Sequence, residues 1–451
     1  MSNKFIEIDR TQPIILPDNL EEWLDNNDLA RFIVDVVEQL DTSCLENAYR
    51  GGGSAPYPPK MMLALLFYGY AKGIFSSRQI ERATYEQIPV LYITGGLHPD
   101  HVSHNRFRKR FLSELESLFV MILEIAHGLG IFKLGNISAD GTKIKANASQ
   151  HKAMSWEYAG NLSEQLLRCV AELLKRAETE NHKGSQNIDI PAEIQRREER
   201  LSKIAEIQAE IKKRAQARYK QEKAEYDAKM VERAAKEAKL GRKLGGRKSK
   251  EPEPGPRSKD QVNFTDEDSR IMPKSGGGFI QGYNAQAAID IETMLIVGQH
   301  VTQNTNDKQE VEPTLAELDK LPSALGTISR VALDSGYFSA DNVEKILEHK
   351  KEPYIPNGRQ NHNQSLEERF AEPPCAPKNA NPVEDMQHRM KTTEGKEFYA
   401  KRKSTVEPIF GIIKEIMGFH HFMLRGFEAV KGEWTLVSIA YNLKRFCVLN
   451  A

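Results

Sequence analysis

At residue 133 the spacing of apolar residues changes, and no other feature limits the fold as much. Upstream, segments 20–48 (Trp23, Leu24, Leu29, Phe32, Ile33, Val36, Val37, Leu40), 57–71 and 101–130 repeat their apolar residues at helical spacing. KMMLALLFYGYAKG is apolar nearly all round, as a buried helix requires. GGGSAPYPP (51–59) and GGLHPD (95–100) break the pattern, and Ser76 and Ser77 are placed to cap the helix SSRQIERATYEQ. Downstream, KLGNISADGTKIKANAS (133–149) reads as an extended strand. GGFIQGYNAQAAIDIETMLIVGQHVTQN (277–304) reads as a hairpin about a DIET turn. EVEPTLAELDKL is a helix, ISRVALDSGYFS (328–339) a short apolar strand ending in Asp-Ser-Gly, and SADNVEKILEH another helix. A chain that switches in this way folds as helices followed by a mixed α/β layer built on a hairpin.

Residues 150–262 interrupt that layer. Leu162, Leu166, Val170 and Leu173 form one helical stripe, and Ile194, Leu201, Ile204, Ile207, Ile211 and Ala215 a second. An antiparallel helical hairpin is expected, turning at NHKGSQNIDIP and leaving through the Gly/Pro/basic linker 241–260. The expected divisions are an N-terminal arm (1–19), a helical domain (20–130), an α/β core (131–149 with 263–451) and this insertion (150–262).

With 451 residues the chain has room for two or three cores. Lys+Arg and Asp+Glu both number 63, which argues against coating nucleic acid by global charge but leaves local basic surfaces open. The four cysteines form no C-x-x-C pair, so a disulfide framework and a zinc site are not expected. The start MSNKFIEIDR has no basic-then-apolar pattern, and the run MMLALLFYGY (61–70) is too short to span a bilayer. A soluble intracellular protein is the expectation.

Three acids stand out in this frame. Asp140 lies inside a strand, where aspartate is disfavoured unless something compensates. Asp334 follows the apolar run VAL at a strand's C-terminal end, a common place for catalytic groups in open α/β sheets. Glu407 lies in FYAKRKSTVEPIFGIIKE (398–415). On a helical wheel Ile409, Ile412, Ile413 and Ile416 cluster on one side, and Glu407 and Lys414 lie opposite, about 20° apart. Tyr399 and Arg402 fall within about 140° of Glu407. Pro408 either kinks this helix or starts a new one. Each acid alone has a plain reading as a turn or capping residue. Carboxylates that meet from separate elements repel unless a cation lies between them, and with no Cys or His cluster nearby the cation is Mg²⁺ or Mn²⁺. Two such ions can drive phosphoryl transfer, with Arg402, Lys414 and Lys143 holding phosphates. Lys145 on the same strand extends that basic set.

The chain resembles the DDE-type insertion-sequence transposases, whose catalytic core is RNase H-like. The likeness is carried by YPPKMMLALLFYGYAKGIFSSRQIERA (57–83), ISADGTKIKANAS, GYNAQAAID (282–290), VALDSGYFS, WTLVSIAYNLKRF (434–446) and, most specifically, FYAKRKSTVEPIFGIIKE. This last carries Tyr399, Arg402, Glu407 and Lys414 in the order of the family's Tyr-(2)-Arg-(3)-Glu-(6)-Lys signature, with four residues instead of three between Arg402 and Glu407. The resemblance implies that Asp140, Asp334 and Glu407 bind the metal ions and that Tyr399, Arg402 and Lys414 touch DNA near the cut. It implies double-stranded DNA partners, namely the terminal inverted repeats and target DNA. It also implies hydrolysis freeing a 3′-OH that attacks target DNA, and a homodimer or larger synaptic assembly in a prokaryotic cytoplasm, associated with the nucleoid. SSRQIERA followed by HVSHNRFRKRF could be a helix-turn-helix presenting Arg106, Arg108, Lys109 and Arg110 to a major groove. A basic solvated helix face is the alternative. Lys and Arg at 242, 243, 247, 248 and 250 could track phosphates or merely solvate a linker. An RNase H-like endonuclease without strand transfer, and a catalytically silent DNA-binding relic, remain open at this point.

Overall fold

A computed structural model describes residues 19–49, 55–180, 190–242, 245, 249–274, 276–358, 375 and 380–450. The N-terminal arm expected before residue 19, the turn between the two helices of the insertion, and the basic residues at 243, 247 and 248 lie outside these. The chain divides into two compact units, Met1–Lys145 with Tyr283–Ala451, and Ala146–Gly282.

In the first unit, after a short 3₁₀ turn, the helices are α1 (Leu29–Gln39), α2 (Ser43–Asn47), α3 (Pro59–Ala71), α4 (Ser77–Glu86), α5 (Ile88–Thr94), α6 (His101–Arg110) and α7 (Leu115–Gly128). Asp28 caps α1 by accepting the Ala30 N–H, and Asp100 caps α6 by accepting the Ser103 N–H. Ser76 stands at the N-cap of α4 but its side chain makes no capping bond. Helix α3 buries every residue from Met62 to Ala71, as its all-round apolar composition demands. The strand β1 (Leu134–Lys145) follows.

The second unit holds β2 (Ala153–Ser155), α8 (Trp156–Glu180), α9 (Ile190–Leu240), β3 (Gln261–Asn263) and β4 (Arg270–Pro273). The helical hairpin has a small apolar core of Met154, Ala159, Leu166, Ile204, Ile207, Ile211 and Val262. Its base is an antiparallel ribbon of β2 and β3, with Ser155 opposite Gln261. That ribbon was not foreseen, because three-residue strands carry no readable alternation.

The chain re-enters the first unit along β5 (Phe279–Asp290), whose first residues pair with β4. Then come β6 (Ile296–Thr302), α10 (Val311–Asp319), β7 (Gly326–Ala332), α11 (Ala340–Glu348), β8 (Glu352–Tyr354) and helices Pro382–Lys391, Thr393–Gly411 and Phe427–Asn450. In this unit the strand order is β6-β5-β1-β7-β8. The β5–β6 pair is antiparallel, and β1–β7 and β7–β8 are parallel. At the ends of the β1–β5 ladder the Ile291 N–H donates to Asn136 O and the Ala146 N–H to Gln281 O, so these strands run in opposite directions. The result is the mixed α/β sheet that the pattern predicted, with one short edge strand, β8, added.

The terminal helix buries Val430 and nearly every residue from Gly432 to Leu443, and it packs against α3, α7 and β6. By this helix the N-terminal helices and the sheet pack into one compact unit. Glu433, fully buried, fixes the join. Its Oε2 accepts the N–H groups of Met423 and Leu424, both at 2.9 Å, and its Oε1 accepts the Tyr70 hydroxyl at 2.8 Å.

Candidate active site

Strand β1 buries Ile137, Ser138 and Ala139 and leaves Asp140 half-buried. In β7 the register pairs Ser138 with Ala332. Asp140 and Asp334 each lie two residues further on, and Asp334 keeps extended backbone angles before a 3₁₀ turn, Ser335–Tyr337. Asp140 thus lies within β1 and Asp334 just past the end of β7, each two residues beyond the last paired position. Burial pushes the Asp140 carboxyl up to about 6, against the lowering effects of Arg402 and the Gly141 N–H; Asp334 and Asp307 push it higher.

Helix Thr393–Gly411 supplies the other signature residues and runs through Pro408 without ending. Arg402 is buried, and its Nη2 donates to Asp140 Oδ2 at 2.6 Å. Its Nε is buried without an acceptor. The Tyr399 hydroxyl donates to Leu333 O, next to Asp334, at 3.3 Å. Burial raises the Tyr399 hydroxyl to about 12, so it stays a donor. Glu407 is exposed on the same helix. Among the described residues no three His, Cys, Asp or Glu side chains converge to hold a metal ion. The structure thus brings Asp140, Asp334, Arg402 and Tyr399 together and leaves Glu407 facing solvent.

Beyond Gly411 the helix widens into a π turn, Ile412–Ile416, where the Met417 N–H reaches back to Ile412 O. This overturns part of the wheel. Ile409 and Ile413 are buried as expected, but Ile416 is 67% exposed, because a π turn changes the angular step. Lys414 is turned toward β1, where its Nζ bonds Thr142 Oγ1 and lies 3.5 Å from Lys143 O.

Lys143 is ion-paired to Asp307, Nζ to Oδ1 at 2.9 Å. Lys145 is exposed, and its carbonyl accepts the Phe422 N–H at 2.9 Å. On α6, Arg106, Lys109 and Arg110 are exposed, and Arg110 lies 4.8 Å over the Tyr49 ring. Arg108 differs from the sequence expectation of a groove-facing residue. It is buried, with Nη1 donating to the Tyr70 hydroxyl at 2.9 Å and to Phe75 O at 3.2 Å. It serves the Glu433 network, since a guanidinium on the inner face of α6 finds acceptors there. A further helix, α5, separates α4 from α6, so the helix-turn-helix is not a compact one.

Sequence reasoning passed over Asp307, Asn284, Gln286 and Tyr337. Asn284 and Gln286 are buried on one face of β5, and both donate to Asp307 Oδ1, at 2.7 and 3.0 Å. The signal was there: two amides spaced by two in the otherwise apolar strand GYNAQAAID.

A mixed sheet with one aspartate on its central strand and a second just past the end of the neighbouring parallel strand, and a helix carrying Tyr and Arg beside them, is an RNase H-like fold. Residues 252–443 match the family model described as Transposase DDE domain, and residues 18–110 match the one described as Transposase domain (DUF772). The chain belongs to the DDE-type insertion-sequence transposases. Asp334 and Glu407 fall inside the first match; Asp140 lies between the two. Comparisons with curated proteins and with solved structures find no match.

Proposed function

We propose that this transposase binds the terminal inverted repeats of its element, hydrolyses a strand at each end, and joins the freed 3′-OH to target DNA. Asp140, Asp334 and Glu407 are the acids of the reaction in this reading. The observation that carries it is that Asp140 and Asp334 each lie two residues beyond the last pair of β1 and β7, with Arg402 bringing the helix of Glu407 against Asp140. The donor set fits a hard divalent cation, since Asp140 and Asp334 offer carboxylate oxygens close enough for one charge to raise the other's pKa. Asp140 and Asp334 would hold Mg²⁺ or Mn²⁺, which supplies water activation and charge stabilisation at the leaving oxygen.

The chain's own groups do the positioning. Arg402, a planar guanidinium held on Asp140 Oδ2, places positive charge beside that acid for an incoming phosphate. Tyr399, anchored on Leu333 O, holds the backbone that carries Asp334. Lys414 and the exposed Lys145 place positive charge along the end of β1, where the charge of Lys143 is answered by Asp307. Arg106, Lys109 and Arg110 on α6 are the groups for sequence-independent or groove contacts. Among the described residues no helix is long and apolar enough to cross a membrane. A homodimer or larger assembly that pairs two ends completes the proposal.

The test is cleavage of a labelled duplex carrying the element's terminal repeats, with Mg²⁺, by wild type, Asp140→Asn and Glu407→Gln. Nicking at the repeat boundary by wild type alone, with all three proteins binding the duplex, supports the reading. Cutting by the variants at the wild-type rate removes these acids from the mechanism. Nicking without joining to added target DNA favours an endonuclease.

A further inference from the structure

A fourth acid lies beside the pair. Asp307 opens a 3₁₀ turn (Asp307–Gln309), between β6 and α10, where Asn306 caps it. Its Oδ1 takes three donors: Lys143 Nζ from β1 at 2.9 Å, Asn284 Nδ2 at 2.7 Å and Gln286 Nε2 at 3.0 Å from β5. The other end of the Gln286 amide, Oε1, accepts the Tyr337 hydroxyl at 2.5 Å. Tyr337 is buried, and its N–H donates to Asp334 O at 3.0 Å. One carboxylate thus reaches β1 through Lys143 and the turn bearing Asp334 through Gln286 and Tyr337. A second tie runs alongside: Asn342 Nδ2 donates to Lys308 O and to Tyr337 O, at 2.8 and 2.7 Å.

The fit around this network is close. A Cβ at Gly141, the residue after Asp140, would stand 2.1 Å from Gln286 Nε2 and 2.9 Å from Asn284 Oδ1. The backbone beside Asp140 therefore rests on the two amides that Asp307 holds. Buried amides and a carboxylate with every donor answered make a rigid support, because each lost partner leaves a desolvated polar group.

We propose that Asp307 is a positioning residue for strand cleavage, locking the strand of Asp140 to the turn of Asp334 through Lys143, Gln286 and Tyr337. This rests on the reading of Asp140 and Asp334 as the reacting acids. Asp307 acts through these partners and not by touching DNA.

The experiment uses the full chain and a labelled duplex with the terminal repeats, comparing wild type, Asp307→Ala, Asp307→Asn, Tyr337→Phe and Asp140→Asn. Three quantities are read: the single-turnover cutting rate at saturating duplex, the duplex Kd, and Mn²⁺ binding by electron paramagnetic resonance. Small misplacements in an active site cost about a hundredfold, so Asp307→Ala is expected to cut roughly 30- to 100-fold slower. Its duplex Kd should stay within about threefold of wild type, since no phosphate contact is lost. Asp307→Asn, whose amide oxygen still accepts from Asn284 and Gln286, should recover most of the rate. Tyr337→Phe should slow cutting in the same sense without loss of binding, and it tests the link if Asp307→Ala fails to fold. Wild-type cutting by both Asp307→Ala and Tyr337→Phe overturns the proposal. So does loss of Mn²⁺ binding in Asp307→Asn equal to that in Asp140→Asn, which would make Asp307 a ligand. If Asp140→Asn itself cuts normally, the underlying reading of the acids fails, whatever Asp307 does.

Discussion

Arg402 Nη2 lies 2.6 Å from Asp140 Oδ2, joining residues 262 apart in sequence, yet the carboxyl still sits at about 6 because burial outweighs the ion pair. The sign of the pH effect follows. Between the ordinary value of 3.8 and about 6, the folded protein holds a proton that the unfolded chain has released. Stability is fully present below that window and is lost as pH rises through it. Asp140→Asn has no such titration. Relative to that variant, wild type should lose on the order of 1–3 kcal/mol between pH 4 and 6.5. Thermal melts of both proteins across that range, without divalent ions, check it; parallel curves would contradict it.

Glu407 makes the opposite case. An exposed carboxylate contributes little to stability, so Glu407→Gln should melt within about 1 °C of wild type. If it is a reacting acid, cutting should fall by roughly a thousandfold while duplex binding persists. The comparison of melting temperature with cutting rate separates function from folding here more cleanly than at any buried position of the site.

On α6 the basic residues divide by burial. Arg108→Ala leaves Glu433 and Tyr70 without their cation in the core and should cost about 3 kcal/mol, seen in urea unfolding. Arg106→Ala and Lys109→Ala should leave unfolding unchanged and weaken duplex binding. Each should reduce the slope of log Kd against log salt by about one unit. If Arg108→Ala alone changes that slope while unfolding normally, the division is wrong.

Gly141→Ala probes the backbone beside Asp140. Gln286 is buried and bonded to Asn284, Asp307 and Tyr337, so it cannot swing aside to admit a methyl group. The overpacking should cost about 1–3 kcal/mol and depress cutting more than duplex binding. A crystal structure of the variant showing Gln286 undisturbed would refute the account.

What was legible depended on whether the controlling contact was local. Strand β1, the β5–β6 hairpin and the Asp-Ser-Gly turn were readable because burial imposes its own spacing on neighbouring residues. Asp140 was readable because an aspartate in a strand needs a reason. Strand β8, three residues long, was not, since its pairing of Tyr354 with Ala332 is set by the partner strand. Nor was the π turn at Ile412–Ile416, because no residue pattern there opposes an ordinary helix. Arg108 looked like its exposed neighbours because charge says nothing about the direction of a side chain. The Asp307 network escaped because its members, at 143, 284, 286, 307 and 337, are brought together only by the sheet.

The ribbon of β2 and β3 ends with the Trp156 N–H donating to Asp260 O at 2.8 Å. More than a hundred residues thus leave and return through one doorway the width of two strands. In engineering terms this is a socket: a different cassette between Ser155 and Gln261 re-threads no strand of the sheet, provided that it covers Met154 and Val262, which pack with α8 and α9. A lineage carrying such a socket can gain, lengthen or discard its appendage by simple insertion and deletion of DNA, while the spacing of its chemical groups stays under separate selection.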